Sequence, residues 1–407
     1  MSKDWDITIY SYRWVVLGVF MFIAALSQLL WITFAPITSI VADRYGVSDF
    51  DVAMLSLIFM IIYIPISIPA AWLIDSKGLK VGTGVGATIL GIFGFLRIFA
   101  YDNFTLLLLF QAGIAISQPF ILNSLTKISG KWFPQKERAL ATGIGTLSLF
   151  IGIACGMLLT PFLTEELSFQ IMLSIYGIAS LLGMSLFLLL AKPTPPTPPE
   201  LSETEEKVLD FRGLTSILKM KDFLMLMALF FVGMGAFNAI STWIENIVAP
   251  RGFEPTDAGL IGGMMIFGGI MGSVILTELS DRYQKRKIFL TIAMGSTSVF
   301  ILGLTFGKDI IALLILSFLL GFFLLPALPI GLQYAAERTS PVPEATSNGF
   351  LMLMGQIGGI ILIIGMDLMD MEKKAGVEVS MIILSILFVL SCFMTLVLKE
   401  PGVADAS

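Results

Sequence analysis

Long apolar runs alternate with short polar loops along almost the whole chain. In the first half the runs lie near 14–42, 50–74, 80–100, 103–130, 137–162 and 168–191. In the second they lie near 222–249, 256–280, 287–307, 310–336, 344–368 and 378–398. A helix rises 1.5 Å per residue, so about 20 apolar residues cross the hydrocarbon core of a bilayer, and each run is long enough. The pattern predicts an all-α membrane protein with twelve transmembrane helices in two pseudo-symmetric six-helix bundles, residues 1–191 and 222–407. Short loops make most neighbours antiparallel.

Residues 192–221 read as a cytosolic linker. Lys192 to Glu200 contains five prolines. That run cannot be helical and predicts a stiff polyproline spacer. From Leu201 to Lys221 the chain carries Glu203, Glu205, Glu206 and Lys207, then Phe211, Leu214, Ile217 and Leu218 at helical spacing. This predicts a helix lying on the membrane surface.

Composition agrees with lipid as the solvent. The 407 residues are 56% hydrophobic and 14% charged, where soluble chains carry about 25% charged residues. A net charge of −5 gives no basic face for nucleic acid. The chain has no histidine and two cysteines; Cys155 and Cys392 each sit within an apolar run. No metal site, disulfide framework or cofactor is expected, and neither is an enzyme, because imidazole and clustered intramembrane acids are both missing. The first apolar stretch is too long for the core of a cleaved signal peptide.

Basic residues set the orientation. With both termini cytosolic, about nineteen Lys and Arg fall inside and about five outside. The outer five are Arg44, Arg251, Lys308, Lys373 and Lys374. Arg97 remains in the third span, expected near its outer end together with Asp367 of the eleventh. The outer loops are acidic, through Asp43, Asp102, Glu166 and Glu254 among others. This is ordinary loop solvation or a vestibule that attracts cations.

One charged loop occurs twice. Asp75, Lys77 and Lys80 close the second span around Gly78; Asp281, Arg282 and Arg286 close the eighth. A carboxylate at its own helix C-terminus is badly placed against that dipole, but well placed against another helix's N-terminus. Candidate partners are the fifth span, which starts near Glu137, and the eleventh, near Glu344. These eight residues are the candidate gating set. The plain alternative is a basic anchor on the inner side.

Glycines collect in three spans: Gly143, Gly145, Gly152 and Gly156 in the fifth; Gly259, Gly262, Gly263, Gly268, Gly269 and Gly272 in the eighth; Gly355, Gly358 and Gly359 in the eleventh. Small residues let helices approach closely in lipid. Gly82-Thr83-Gly84-Val85-Gly86 opens a span rather than following a strand, so it is not a dinucleotide loop.

Polar side chains inside spans are costly and point to function. Gln118 and Asn123 flank Pro119 in the fourth span, where a proline frees a carbonyl. Trp31 precedes Phe34 and Pro36 in the first, and its indole face suits a cation, worth up to about 2 kcal/mol when desolvated. Tyr63 lies ahead of Pro65. Asn238 and Glu245 lie in the seventh span, Gln356 in the eleventh. These seven are the substrate-binding candidates for a site near mid-membrane, where repeat-built transporters place theirs. For each, an interhelical hydrogen bond worth roughly 1 kcal/mol is the plain alternative. Gln28, Gln111 and Gln333 are weaker candidates. Glu337 is expected to pair with Arg338 or Lys127.

The twelve-span plan, the linker, the paired loops and Trp132-Phe133-Pro134-Gln135-Lys136-Glu137-Arg138 together resemble the major facilitator superfamily of transporters. Within it, Pro69 to Lys80, Gln118-Pro119-Phe120-Ile121-Leu122, Gly235-Ala236-Phe237 with Ser241-Thr242, Gly321-Phe322-Phe323 with Leu328-Pro329, and Gln356-Ile357-Gly358 are similar to the feline leukaemia virus subgroup C receptor family. That family is associated with choline and ethanolamine transport and with haem export. The resemblance implies that Trp31, Gln118 and Gln356 face a quaternary ammonium. The family's tyrosine in the seventh span is Asn238 here, which removes half of an aromatic cage.

The expected function is that of a secondary transporter in the cell membrane. It would move a small organic solute, an amine or organic cation, by alternating access. Its expected partners are that solute and lipid, and a monomer is expected. A proton-coupled drug or metabolite antiporter is the alternative, although no acid lies centrally in the first, fourth or fifth span. A non-transporting receptor is a third reading, with no appended domain to support it.

Overall fold

The computed structural model describes residues 9–197, 215–340, 342, 344–371 and 376–400. The described residues are helical or in turns, with no strand among them. The charged part of the expected surface helix, Glu203 to Leu214, lies outside the described residues; Thr215–Ile217 form a helical turn.

Among the described residues, twelve helices are long and apolar enough to cross a membrane. They are α1 Arg13–Tyr45, α2 Asp49–Lys77, α3 Leu79–Ala100, α4 Phe104–Trp132, α5 Gln135–Glu166, α6 Phe169–Leu190, α7 Lys221–Thr242, α8 Pro255–Tyr283, α9 Arg286–Phe306, α10 Ile310–Thr339, α11 Thr346–Met369 and α12 Gly376–Val397. The chain divides into two compact units, Met1–Glu205 and Glu206–Ser407, with six of these helices in each.

Helix starts follow local chemistry. Ser48 and Asp51 form a capping box at the head of α2, and Asn103, Ser168 and Asp309 accept backbone N–H bonds at the heads of α4, α6 and α10. Each cap satisfies a donor that lipid or loop would otherwise leave bare.

The same two helices are interrupted in each unit. In the first unit α1 breaks after Ile32, passes through a 3₁₀ turn at Ala35–Ile37 and resumes at Thr38. Its α4 ends at Leu122 and resumes at Leu125. In the second unit α7 gives way at Trp243 to a short helix Ile244–Val248, and α10 breaks between Leu324 and Ala327. Pro36 and Pro326 sit at two breaks. Pro119 does not break α4 where it stands: the helix runs through it, and the interruption falls at Asn123–Ser124. Pro65, Pro69 and Pro161 also lie inside continuous helices. The other eight helices have no such break.

Glycine decides which helices touch most closely. A methyl group on Gly152 of α5 would run into the Ala25 carbonyl of α1, and on Gly268 and Gly272 of α8 into the Phe318 and Phe322 carbonyls of α10. On Gly358 of α11 it would run into the Phe231 carbonyl of α7. Gly143, by contrast, faces open space. The three glycine-rich spans thus pack onto α1, α10 and α7, all of them broken helices.

Candidate functional site

The breaks collect the polar side chains. In the first unit, Trp31 lies one residue before the end of the first α1 segment and is 5% exposed. Its indole N–H donates to the Ser56 carbonyl of α2 at 3.3 Å, and the Ser56 hydroxyl donates back to the Trp31 carbonyl at 3.3 Å. The ring is therefore fixed by its edge. At the α4 break, Asn123 Oδ1 accepts from the Tyr63 hydroxyl at 3.4 Å, and Asn123 Nδ2 donates to the Ser67 carbonyl at 3.2 Å. Ser67 lies two residues past Pro65. Tyr63 and Asn123 are thus brought together, and Gln118 is buried about one turn earlier on α4.

In the second unit, Asn238, Ser241 and Thr242 recur at i, i+3 and i+4 near the end of α7, on one helix face, and Glu245 follows just past the break at Trp243. All four are buried; Asn238 is 4% exposed and Glu245 3%. Asn238 Nδ2, Ser241 Oγ and Thr242 Oγ1 have no protein hydrogen-bond partner. Elsewhere in the spans serine and threonine hydroxyls commonly bond back to a carbonyl three or four residues earlier, as Thr33, Thr88, Ser124, Thr305 and Thr339 do. A buried, unsatisfied polar group costs about 1–3 kcal/mol, so three on one face are a liability for stability alone. Gln356 of α11 is also buried. Trp243 points to the α11 backbone, donating to the Ile363 carbonyl at 3.2 Å.

The sequence singles out Asn238 and Glu245 but not Ser241 and Thr242, because serine and threonine in a helix ordinarily satisfy themselves. Only the structure shows that Ser241 and Thr242 do not.

Asp75, Glu137, Asp281 and Arg286 of the candidate gating set form ion pairs, each within its own unit. Asp75 pairs with Lys127 of α4, and Glu137 at the head of α5 pairs with Arg13 of α1 at 3.1 Å. Arg286 joins Asp281 of α8 and Glu337 of α10, the latter at 3.0 Å. Glu337 therefore takes Arg286 and Gln333, at 2.9 Å, and Arg338 binds Asp222 of α7 at 2.8 Å. Lys77 and Arg282 are exposed, Lys80 is half-buried, and Glu344 is exposed at the first residue of the helix that carries α11. Arg97 lies in the 3₁₀ turn that ends α3, the end of the span where it is expected, and its side chain is fully buried. Among the described residues no cluster of acids and cysteines could hold a metal ion.

Comparison with known proteins fits this architecture. The family description "Major Facilitator Superfamily" matches residues 20–363 and 244–406. Solute carrier family 49 member A3 of Xenopus tropicalis is 32% identical over 372 residues, covering 87% of this chain and 77% of the relative. The choline/ethanolamine transporter flvcr2b of Danio rerio is 30% identical over 380 residues, covering 88% and 78%. In structure, a bacterial homologue of the human lysosomal transporter Spinster, solved inward-facing and unoccupied, superposes with a TM-score of 0.70 at 17% identity, covering 97% of each chain; at that identity the likeness is one of fold. The twelve-helix fold, the family match over residues 20–406 and the identity to these relatives agree: the chain belongs to the Major Facilitator Superfamily, within the group that includes the feline leukaemia virus subgroup C receptor-related transporters.

Proposed function

We propose that the protein is a secondary transporter of a small organic amine or cation, working by alternating access in a cell membrane with both termini cytosolic. The observation that carries the reading is the buried stripe on α7. Its unsatisfied amide and hydroxyls suit a solute that brings its own polar groups, and Glu245 supplies a carboxylate for a cation. In the first unit Trp31, edge-fixed to Ser56, offers an aromatic face, and Gln118 and the Tyr63–Asn123 pair are its further candidates; in the second unit the further candidate is Gln356. Relatives named as choline/ethanolamine transporters support the amine class, and Asn238 in place of the family's tyrosine favours a solute less dependent on a full aromatic cage. The ion pairs Asp75–Lys127, Arg13–Glu137 and Asp281–Arg286–Glu337 are the contacts proposed to reorganise during the cycle, with Lys77, Lys80, Arg282 and Glu344 flanking them.

Thermal stability against a solute panel tests this reading. A ligand that binds only the folded state raises its stability, by about 2.7 kcal/mol at a hundred times Kd. Choline, ethanolamine or a related amine is expected to raise the melting temperature of the wild type by about 2 °C or more, and to lose that effect in Trp31→Ala. Stabilisation by sugars or organic anions alone would defeat the amine assignment.

A further inference from the structure

The end of the first α1 segment is capped from outside the helix. An α-helix leaves its last four carbonyls without intrahelical donors, here those of Leu29, Leu30, Trp31 and Ile32. The Thr33 hydroxyl bonds the Leu29 carbonyl at 2.8 Å, and Ser56 takes that of Trp31. The Leu30 carbonyl accepts two donors from other helices: Gln111 Nε2 of α4 at 2.9 Å and Arg97 Nη1 at 3.5 Å, from the 3₁₀ turn that ends α3. Arg97 Nη1 also donates to Gln111 Oε1 at 3.0 Å, so the two side chains form one clamp. The guanidinium lies 5.0 Å from the centre of the Phe34 ring, just past the break.

The choice of arginine is unusual on energetic grounds. Arg97 is 0% exposed. Its Nε and Nη2 have no partner, and among the described residues no carboxylate forms an ion pair with it. Arg13, Arg44, Arg286 and Arg338 each have an acid. A neutral amide at position 97 could donate the same single bond to Leu30 without the desolvation penalty of a charge. A cation does add attraction to the negative end of the α1 dipole, beside its contact with the Phe34 ring, and that end is the residue beside Trp31.

We infer that Arg97, with Gln111, is a positioning residue for the solute site: it holds α1 interrupted at Leu30–Phe34 and so fixes where Trp31 stands. The role deepens the proposed function and rests on it for its transport consequence, but not for its structural one.

Two readouts separate these. Hydrogen–deuterium exchange of the full-length protein is compared for wild type, Arg97→Leu, Arg97→Lys and Gln111→Leu. Exchange is expected to rise at least tenfold within residues 29–38 in Arg97→Leu, and less in Arg97→Lys, which keeps the charge. Transport of choline or ethanolamine is expected to show KM raised about tenfold or more with maximal rate within about twofold. Unchanged exchange in 29–38, or a rise spread evenly over the first unit, overturns the inference, as does an unchanged KM in a folded Arg97→Leu. Should Arg97→Leu not fold, Gln111→Leu and Arg97→Lys carry the same comparison. If wild type transports neither amine, the proposed substrate class fails, and the exchange data alone decide the clamp.

Discussion

Replacing Thr242 by Val should raise the melting temperature of this protein while weakening its response to solute at least tenfold. The substitution keeps the shape of the side chain and deletes a hydroxyl that is buried with no protein partner. Removing such a group relieves a cost of about 1–3 kcal/mol, so stability rises even though nothing new is bonded. If the hydroxyl meets solute, its loss costs about 1.4 kcal/mol of binding for each tenfold in affinity. Asn238→Leu and Ser241→Ala on the same face should move both quantities in the same directions. Stability and function pulling apart is the signature of a polar group kept for work rather than for folding. Scanning calorimetry with and without amine checks the pair of signs. Lower stability with an undiminished solute response would place these groups in the fold instead.

Gly358→Leu should destabilise the second unit by about 3 kcal/mol or more, beyond the usual 1–3 kcal/mol of overpacking. The atom a side chain would meet is the backbone carbonyl of Phe231 in α7, which cannot rotate away, and Gly235 lies against the same glycine from the α7 side. Close approach of this kind substitutes for hydrophobic drive between helices in lipid. Gly143→Leu in α5 is the control, since nothing lies within 4 Å of its added carbon. Yield and monodispersity of purified protein, together with melting temperature, separate the two variants.

The number and placing of the spans were legible because little else in a chain requires twenty apolar residues in a row. The positions of the breaks were only half legible. Pro36 and Pro326 mark two of them, yet Pro65, Pro69, Pro119 and Pro161 stand within continuous helix, and the α7 break at Trp243 has no proline within it. Pairing of charges depended on which helices lie side by side. Asp75 meets Lys127 on α4, and Glu337 meets Arg286 rather than the adjacent Arg338. Arg97 stands at the end of α3 where the sequence puts it, but its position along the span says nothing about which way the 3₁₀ turn aims it; it turns inward to the α1 carbonyl. Trp31 and Tyr63 stood out as aromatic groups ahead of prolines, and Asn123 and Asn238 as polar groups within apolar spans. Ser241 and Thr242 did not, because small hydroxyls usually satisfy themselves.

The most direct test of the central claim is uptake of radiolabelled choline and ethanolamine into vesicles reconstituted with the purified protein, beside vesicles holding Trp31→Ala. Saturable uptake of at least one of these amines by wild type is expected, inhibited by the unlabelled amine and reduced at least tenfold in the variant. Equal flux in protein-free vesicles, or saturable uptake that Trp31→Ala leaves intact, would contradict it.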